Sequence, residues 1–397
     1  MSRKPRLEDH LVIGKYTGKI IVGVGMLMAI PLVTSVLFGA WDTALDFVIS
    51  MMACFVFGLS AQIICRTDRE IAWSHGLVVA SGSWVFATLL GALPHYLSGH
   101  MGSYLDAVFD AISGYTTTGL FLMQDLDHIS VGLNMWRHLL TYAGGQGIVV
   151  IALTFLFKGA SGAYTVYVGE GKDERLLPNV VNTARAIWLV SLVYLAIGWA
   201  SLTVTGLALG QEPVTAVLDG LWMFMGAWST GGFAPVSFNG YYYHSLTYEL
   251  ISVVLMTAGS FNFALHWAVW TGKRREIRRN IEIVSMVVTL TVAVLIATFW
   301  LARAGVYPDA VSLFRKTFYQ LISGHTTTGF ATIFSKQFVT QWGTVGLLVT
   351  TFVMMLGASA ASTAGGIKGM RVGIIFKSLV GEVRRMVSPE SAVVRSR

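Results

Sequence analysis

The stretch Ser113-Gly114-Tyr115-Thr116-Thr117-Thr118-Gly119-Leu120 returns as Ser323-Gly324-His325-Thr326-Thr327-Thr328-Gly329-Phe330, and a looser copy, Trp228-Ser229-Thr230-Gly231-Gly232-Phe233, lies between them. What hydroxyl residues running into glycine offer is main chain. An extended segment can turn its carbonyl oxygens toward one axis, and glycine permits backbone angles that side chains resist. Such oxygens can replace the water around a cation. The three stretches therefore read as parts of one ion filter. Its candidate ligands are the backbone oxygens of Thr116, Thr117, Thr118 and Gly119, of Ser229, Thr230, Gly231 and Gly232, and of Thr326, Thr327, Thr328 and Gly329.

The elements that must hold these segments are membrane helices. The 397 residues are 54% hydrophobic and 12% charged, and several apolar runs exceed the roughly 20 residues that span a hydrocarbon core. The alternating segments of about 10 residues expected of a β-barrel are not seen. The fold class is all-α, polytopic and membrane-embedded. A net charge of +7 does not point to nucleic acid. With the N-terminus inside, about 23 of the 28 Lys and Arg fall on the inner side, as positive-inside topology requires. The densest run, Lys273-Arg274-Arg275-Glu276-Ile277-Arg278-Arg279, reads as a topology anchor, or as a docking surface for a cytoplasmic partner or anionic lipid. Membrane lipid is an expected partner. Cys54 and Cys65 would lie about 16 Å apart on one helix, too far for a disulfide, and read as buried thiols. No cleavable signal peptide is evident: the first apolar run, about Ile20 to Phe38, is long enough to stay in the membrane.

Residues 1–70 hold two helices, the first kinked at Pro31. A unit then occurs three times, over 71–181, 182–280 and 281–397. A helix goes out, a short segment at helical spacing dips partway and ends at a Thr/Gly stretch, and a helix returns. The expected return helices are about Asn134 to Phe157, Leu246 to Trp270, and Trp342 onward. The C-terminal, partially negative end of each dipping helix would point at the segment that follows. Asp106 and Asp219 sit ten residues before their segments, where an acid suits the helix start or simply solvates the outer surface; Lys316 holds that offset in the third unit. The stretch Lys158 through Arg185 reads as a cytoplasmic linker, with Glu170, Asp173 and Glu174.

The last return helix is interrupted by Gly357-Ala358-Ser359-Ala360-Ala361-Ser362-Thr363-Ala364-Gly365-Gly366-Ile367-Lys368-Gly369. Unwound backbone at membrane depth is tolerated only when buried in protein or lining water. The run reads as an intramembrane loop beneath the filter, able to block or open the path, with Gly357, Ser359, Ser362, Thr363, Gly365, Gly366 and Lys368 as candidate gating residues. A small-residue helix interface is the competing reading. Lys368 is either an inner-surface anchor or a positive charge facing the pore. No Gly-Lys-Ser/Thr follows at phosphate-loop spacing.

At these residues the chain resembles the Trk/Ktr/HKT superfamily of potassium transporters, and within it the bacterial Trk membrane subunit. The resemblance rests on Ser113 to Leu120, Trp136-Arg137 with Gly144-Gly145-Gln146-Gly147-Ile148, Gly231-Gly232-Phe233, Asn262 to His266, Thr326 to Phe330 and Ser362 to Lys368. It implies helix–pore helix–helix repeats around one pore with two extra N-terminal helices, and a homodimer whose cytoplasmic face binds a nucleotide-binding regulatory subunit. It also implies residence in the plasma membrane, the inner membrane of a bacterium. Gly119, Gly232 and Gly329 take the filter glycine positions, which leans toward potassium as the transported ion, with no cofactor. Family members carry four repeats, and this chain carries three, so a fourth is expected to be absent or to lie on another polypeptide. Alternatives are a non-conducting or assembly subunit and a secondary transporter of another cation such as sodium.

Other residues carry less. His325, flanking the third segment, reads as packing behind it, with pH sensitivity the alternative, and His266 as a hydrogen-bonded interior residue in preference to a metal ligand. No His, Cys and carboxylate cluster has transition-metal spacing. Arg137 could pair with Asp110 and brace the filter, or be an ordinary interfacial arginine. No nucleophile and base pair outweighs the Thr/Gly stretches, so an enzyme is not expected and no catalytic residue is assigned.

Overall fold

The computed structural model describes residues 7–69, 71–147 and 180–387. Among them there is no β-strand, only an isolated bridge between Leu356 and Ile367. The expected continuation of the first return helix to Phe157, Ile148, the linker acids, the basic residues before Leu7, and the last ten residues lie outside the described residues.

Helix α1 (Leu7–Leu27) and α2 (Ala29–Leu37) form one candidate span interrupted at Met28. Pro31 explains the break, since it cannot donate to the Leu27 carbonyl and its ring crowds that turn. The span begins well before the expected Ile20. Lys15 and Lys19 end the apolar run in sequence but not the helix: Lys15 Nζ donates to the Thr67 carbonyl, and Lys19 lies 5.1 Å from the Tyr16 ring centre. Long basic side chains reach the interface in this way without interrupting a helix. Helix α3 (Trp41–Ile64) returns against α1. The backbones touch at Gly18, where a Cβ would lie 2.6 Å from the Gly58 carbonyl oxygen. Cys54 is buried in this seam, whereas Cys65, at the frayed end of α3, is only half-buried, contrary to expectation.

One order of parts then recurs. First come α4 (Trp73–Gly91) with the short α5 (Leu93–Leu97), the dipping α6 (Tyr104–Tyr115) and the returning α7 (Val131–Gln146). Next are α8 (Val180–Ala208), the dipping α9 (Pro213–Trp228) and a return made of α10 (Leu246–Gly259) and α11 (Phe263–Trp270). After a short basic α12 (Glu276–Arg279) come α13 (Ile281–Arg303), the dipping α14 (Ala310–His325) and a return made of α15 (Ser335–Gln341) and α16 (Gly343–Met355), followed by α17 (Gly369–Val387). Among the described residues five helices are long and apolar enough to cross a membrane, seven if each bent pair is one span.

The dipping helices start on side-chain caps. Ser103 accepts from Asp106 N, Glu212 from Thr215 N and Asp309 from Ser312 N, which satisfies amides that the helix itself leaves free. The same main-chain bonds hold the Asp309 and Glu212 carboxyls below their usual range.

The second return departs from the single helix expected over Leu246 to Trp270: α10 and α11 meet at 101°. The chain bends because Asn262 caps a new helix, its Oδ1 accepting from Ala264 N at 2.7 Å, while His266 Nε2 lies 2.9 Å from the Ala258 oxygen. Gly259 forces the path as well, since a Cβ there would collide with the Trp228 carbonyl at the end of α9. In the third return the apolar α16 starts at Gly343 with Trp342 as its N-cap, close to the expected start, and the short α15 before it meets it at 119°.

Helix α7 passes the lower ends of two dipping helices. A Cβ on Gly144 would fall on the Tyr115 carbonyl, and one on Gly145 would lie 2.7 Å from Ser229 Cβ. Because the obstacle at Gly144 is backbone, Gly144→Ala is expected to cost about 1–3 kcal/mol through overpacking. It should lower the thermal midpoint of the detergent-solubilised protein; an unchanged midpoint would mean that α6 and α7 are not pressed together here.

Candidate ion-binding site

Each Thr/Gly segment is built on the C-terminus of a dipping helix. Thr116, Ser229 and Thr326 are the C-cap residues of α6, α9 and α14. The next residue in each, Thr117 (φ 53°), Thr230 (φ 51°) and Thr327 (φ 57°), is left-handed, and so are Gly119 (φ 79°), Gly232 (φ 68°) and Gly329 (φ 88°). A β-branched residue at positive φ is a real outlier, costing of order 1–3 kcal/mol unless its surroundings fix it. Three such outliers at one motif position are not accidental turns. Positive φ at alternate residues reverses alternate peptide planes, which lets successive carbonyl oxygens face the same side.

The strain is fixed by hydrogen bonds folded back onto the helix ends. Thr117 N and Thr118 N donate to the Gly114 and Ser113 oxygens, Thr230 N and Gly231 N to Ala227 and Gly226, and Thr327 N and Thr328 N to Gly324 and Ser323. These amides are thus turned to the helix, while of the carbonyls that of Ser229 accepts from Thr230 Oγ1 and that of Gly232 from Asn239 Nδ2. In the first and third segments the outer threonines also bridge, Thr116 Oγ1 to Thr118 Oγ1 and Thr326 Oγ1 to Thr328 Oγ1, both at 2.8 Å. The second segment has Gly231 at that position, and the Thr141 hydroxyl of α7 occupies the room a side chain would need.

The three segments meet. A Cβ on Gly119 would lie 2.6 Å from the Gly231 carbonyl oxygen and 3.7 Å from that of Thr328, and one on Gly232 would collide with the Thr328 carbonyl. A Cβ on Gly329 meets nothing within 4 Å. Ser229 to Gly232 are buried throughout, whereas Thr116, Thr118 and Gly329 are exposed. The second segment is thus flanked on both sides, and the gathering is open between the third segment and the first.

The loop after α16 lies directly against these segments. Thr363 Oγ1 is 3.1 Å from Thr230 Oγ1 and donates to the Trp228 and Gly259 oxygens, while Gly365 N donates to Thr327 Oγ1 at 2.8 Å. The left-handed threonines of the second and third segments are therefore the ones that the loop touches. Ser359 N donates to the Ser260 oxygen at the α10–α11 break, so the unexpected bend has a use: it makes room for the loop. Ser362 Oγ bonds the Ser359 oxygen, Lys368 Nζ the Ala364 oxygen, and Gly357 and Gly366 abut. The whole run 357–368 is non-helical. It is held as a folded loop, which disfavours the small-residue helix interface.

Behind the first two segments lies a fully buried charge pair. Arg137 Nε is 3.9 Å from Asp110 Oδ2, and His95 Nδ1 is 3.6 Å from the same oxygen. Asp110 Oδ1 accepts from Leu122 N at 3.0 Å, just past the first segment. The Arg137 guanidinium lies 4.8 Å from the Phe233 ring centre and 3.3 Å from Asn134 Oδ1. The pair proposed from sequence exists and ties the first segment to the second. Asp219, by contrast, does not solvate the outer surface: it is buried and accepts from Tyr243 Oη at 3.0 Å and Gln211 Nε2 at 3.2 Å. Lys316 breaks the offset pattern because it does another job, donating to the Thr332 oxygen at 2.8 Å beside Glu249. His325 packs behind the third segment with Nε2 2.7 Å from Thr289 Oγ1.

Some supporting residues escaped the sequence reading. Asn239 donates to the Gly232 oxygen and accepts from Ala331 N, joining the exits of the second and third segments. Its Asn-Gly dipeptide was the available signal. Glu249 receives Arg315 at 2.6 and 3.0 Å; a lone acid in an apolar helix marks such a partner. Among the described residues no cluster of His, Cys, Asp and Glu could hold a metal ion.

Comparison with known proteins agrees with this architecture. The family described as TrkH, cation transport protein, matches residues 44–397. An uncharacterized cation transporter of Methanocaldococcus jannaschii is 28% identical over 378 residues, 95% of this chain and 74% of the relative. The Trk system potassium uptake protein TrkH of Halomonas elongata is 28% identical over 387 residues, 95% of this chain and 77% of its own length. The crystal structure of the potassium transporter TrkH from Vibrio parahaemolyticus superposes with a TM-score of 0.80 at 22% identity, covering 99% of this chain and 79% of that one. The fold is thus that of an integral membrane transporter, and the chain belongs to the TrkH family of cation transport proteins.

Proposed function

We propose that this protein takes up potassium across the plasma membrane, with the main-chain oxygens of residues 116–119, 229–232 and 326–329 replacing the ion's water. The loop 357–368 gates the path from below. The units 71–181, 182–280 and 281–397 are read as repeats of one module, placed behind the helix pair of residues 1–70. The observation that carries the reading is the convergence of three segments with left-handed residues at the same two positions in each. Glycine at 119, 232 and 329 keeps side chains out of the axis, and the relatives named for potassium uptake favour that ion over sodium. No cofactor enters the reading. A homodimer and a nucleotide-binding regulatory subunit on the cytoplasmic face complete it.

A second reading is favoured by one observation, the open side between Gly329 and Thr116. On it the chain is a non-conducting or assembly subunit, and the fourth side of the filter comes from another segment. Rubidium uptake in a potassium-uptake-deficient bacterial strain separates the two. Uptake above vector by the chain alone is expected for the first. No uptake alone, but altered uptake when an intact family member is co-expressed, would establish the second. No effect in either setting would contradict both.

A further inference from the structure

The loop against the ion segments has a further attachment, on the cytoplasmic side. Glu282, in the first turn of α13, is buried, and its Oε1 accepts from Ala360 N at 2.8 Å. Among the described residues it is the one carboxylate bonded to the loop's main chain. Its own position is fixed: Asn280 Oδ1 accepts from Glu282 N at 2.8 Å, and a Cβ on Gly369 would lie 3.2 Å from the Glu282 carbonyl oxygen. The start of a helix favours a carboxylate there.

The other ties of the loop are neutral: Thr363 to Thr230 and to the Trp228 and Gly259 oxygens, Gly365 to Thr327, and Ser359 to the Ser260 oxygen. Glu282 instead faces a cavity of about 380 Å³ lined also by Asn262, Lys273, Glu276, Asn280 and Met370, just after the basic α12. One side chain thus joins the cytoplasmic surface to the loop without touching any of residues 116–119, 229–232 or 326–329.

We infer that Glu282 is a positioning residue, a latch whose carboxylate holds the 357–368 loop in its closed place. This rests on the reading of that loop as the gate. Losing a hydrogen bond to a charged group shifts the loop's open and closed populations by about tenfold or more.

The test measures the loop directly. In a Cys65→Ser background, Ser362→Cys is labelled from the cytoplasmic side with a membrane-impermeant thiol reagent, with Glu282, Glu282→Gln or Glu282→Ala. The expected result is a labelling rate raised about tenfold by Glu282→Ala and less by Glu282→Gln, which keeps an acceptor for Ala360 N. Equal rates in all three would overturn the latch. Should Glu282→Ala fail to fold, the isosteric Glu282→Gln decides, and its equality with the parent would overturn the proposal. Rubidium flux through reconstituted vesicles is the second readout. A rise in flux with an unchanged rubidium-to-sodium ratio supports a latch that moves the gate and leaves the ion segments alone, and a changed ratio contradicts it. Faster labelling without any change in flux would keep the latch and refute the loop as the gate.

Discussion

Gly232→Ser is expected to lower rubidium uptake by at least about tenfold, the largest effect of any single filter substitution. Two costs coincide at this position. The residue is left-handed, which costs a side-chain-bearing residue about 1–2 kcal/mol. Its new Cβ would also occupy the place of the Thr328 carbonyl oxygen, one of the candidate ion ligands. Displacing that oxygen weakens ion binding in both segments at once, and 1.4 kcal/mol of lost ion stabilisation is already tenfold. Gly119→Ser should be second, since its Cβ would press on the Gly231 oxygen at 2.6 Å. Gly329→Ser should be mildest, because its Cβ meets nothing within 4 Å and only the backbone strain remains. The order 232, 119, 329 is the testable content: equal effects at all three would show that the glycines serve flexibility and not close approach of carbonyls.

Arg137→Met is expected to destabilise the protein by about 3–5 kcal/mol, as removal of one partner from a buried ion pair does. Asp110 would be left charged with no exposure and with Leu122 N as its remaining hydrogen-bond donor among the described residues. The double variant Asp110→Asn with Arg137→Met should recover much of the loss, because no lone charge is then buried. Thermal unfolding in detergent measures the stability. The rubidium-to-sodium uptake ratio tests the bracing role, since Arg137 packs on Phe233 beside Gly232. Single variants as stable as the parent would mean that the pair is not shielded from water.

The sequence made the broad architecture readable because membrane helices announce themselves by length and hydropathy, and because the Thr/Gly stretch occurs three times. It also located the loop after α16, since four glycines among hydroxyl residues disfavour helix, although a small-residue helix interface stood as the competing reading. What it hid were places where a local rule was outvoted by a contact. Lys15 and Lys19 marked an early end to the apolar run, yet the helix continues through them because Thr67 and Tyr16 receive the charges. Leu246 to Trp270 is apolar enough for one helix, yet Gly259 must pass against the Trp228 carbonyl and Asn262 starts a new helix. Asp219 looked like a solvated helix start because its partner Tyr243 is distant in sequence. The partners of the bracing side chains Asn239, Glu249 and Glu282 were unreadable for the same reason: each acts across a turn or a helix pair that only the folded chain assembles.

Anomalous scattering from crystals grown in thallium(I), a potassium surrogate, tests the central claim most directly. The account predicts a peak on the line where the three segments converge, within coordination distance of main-chain oxygens from residues 116–119, 229–232 and 326–329. A peak elsewhere, held by side-chain carboxylates such as Asp110 or Glu249, with none at the convergence, would contradict it.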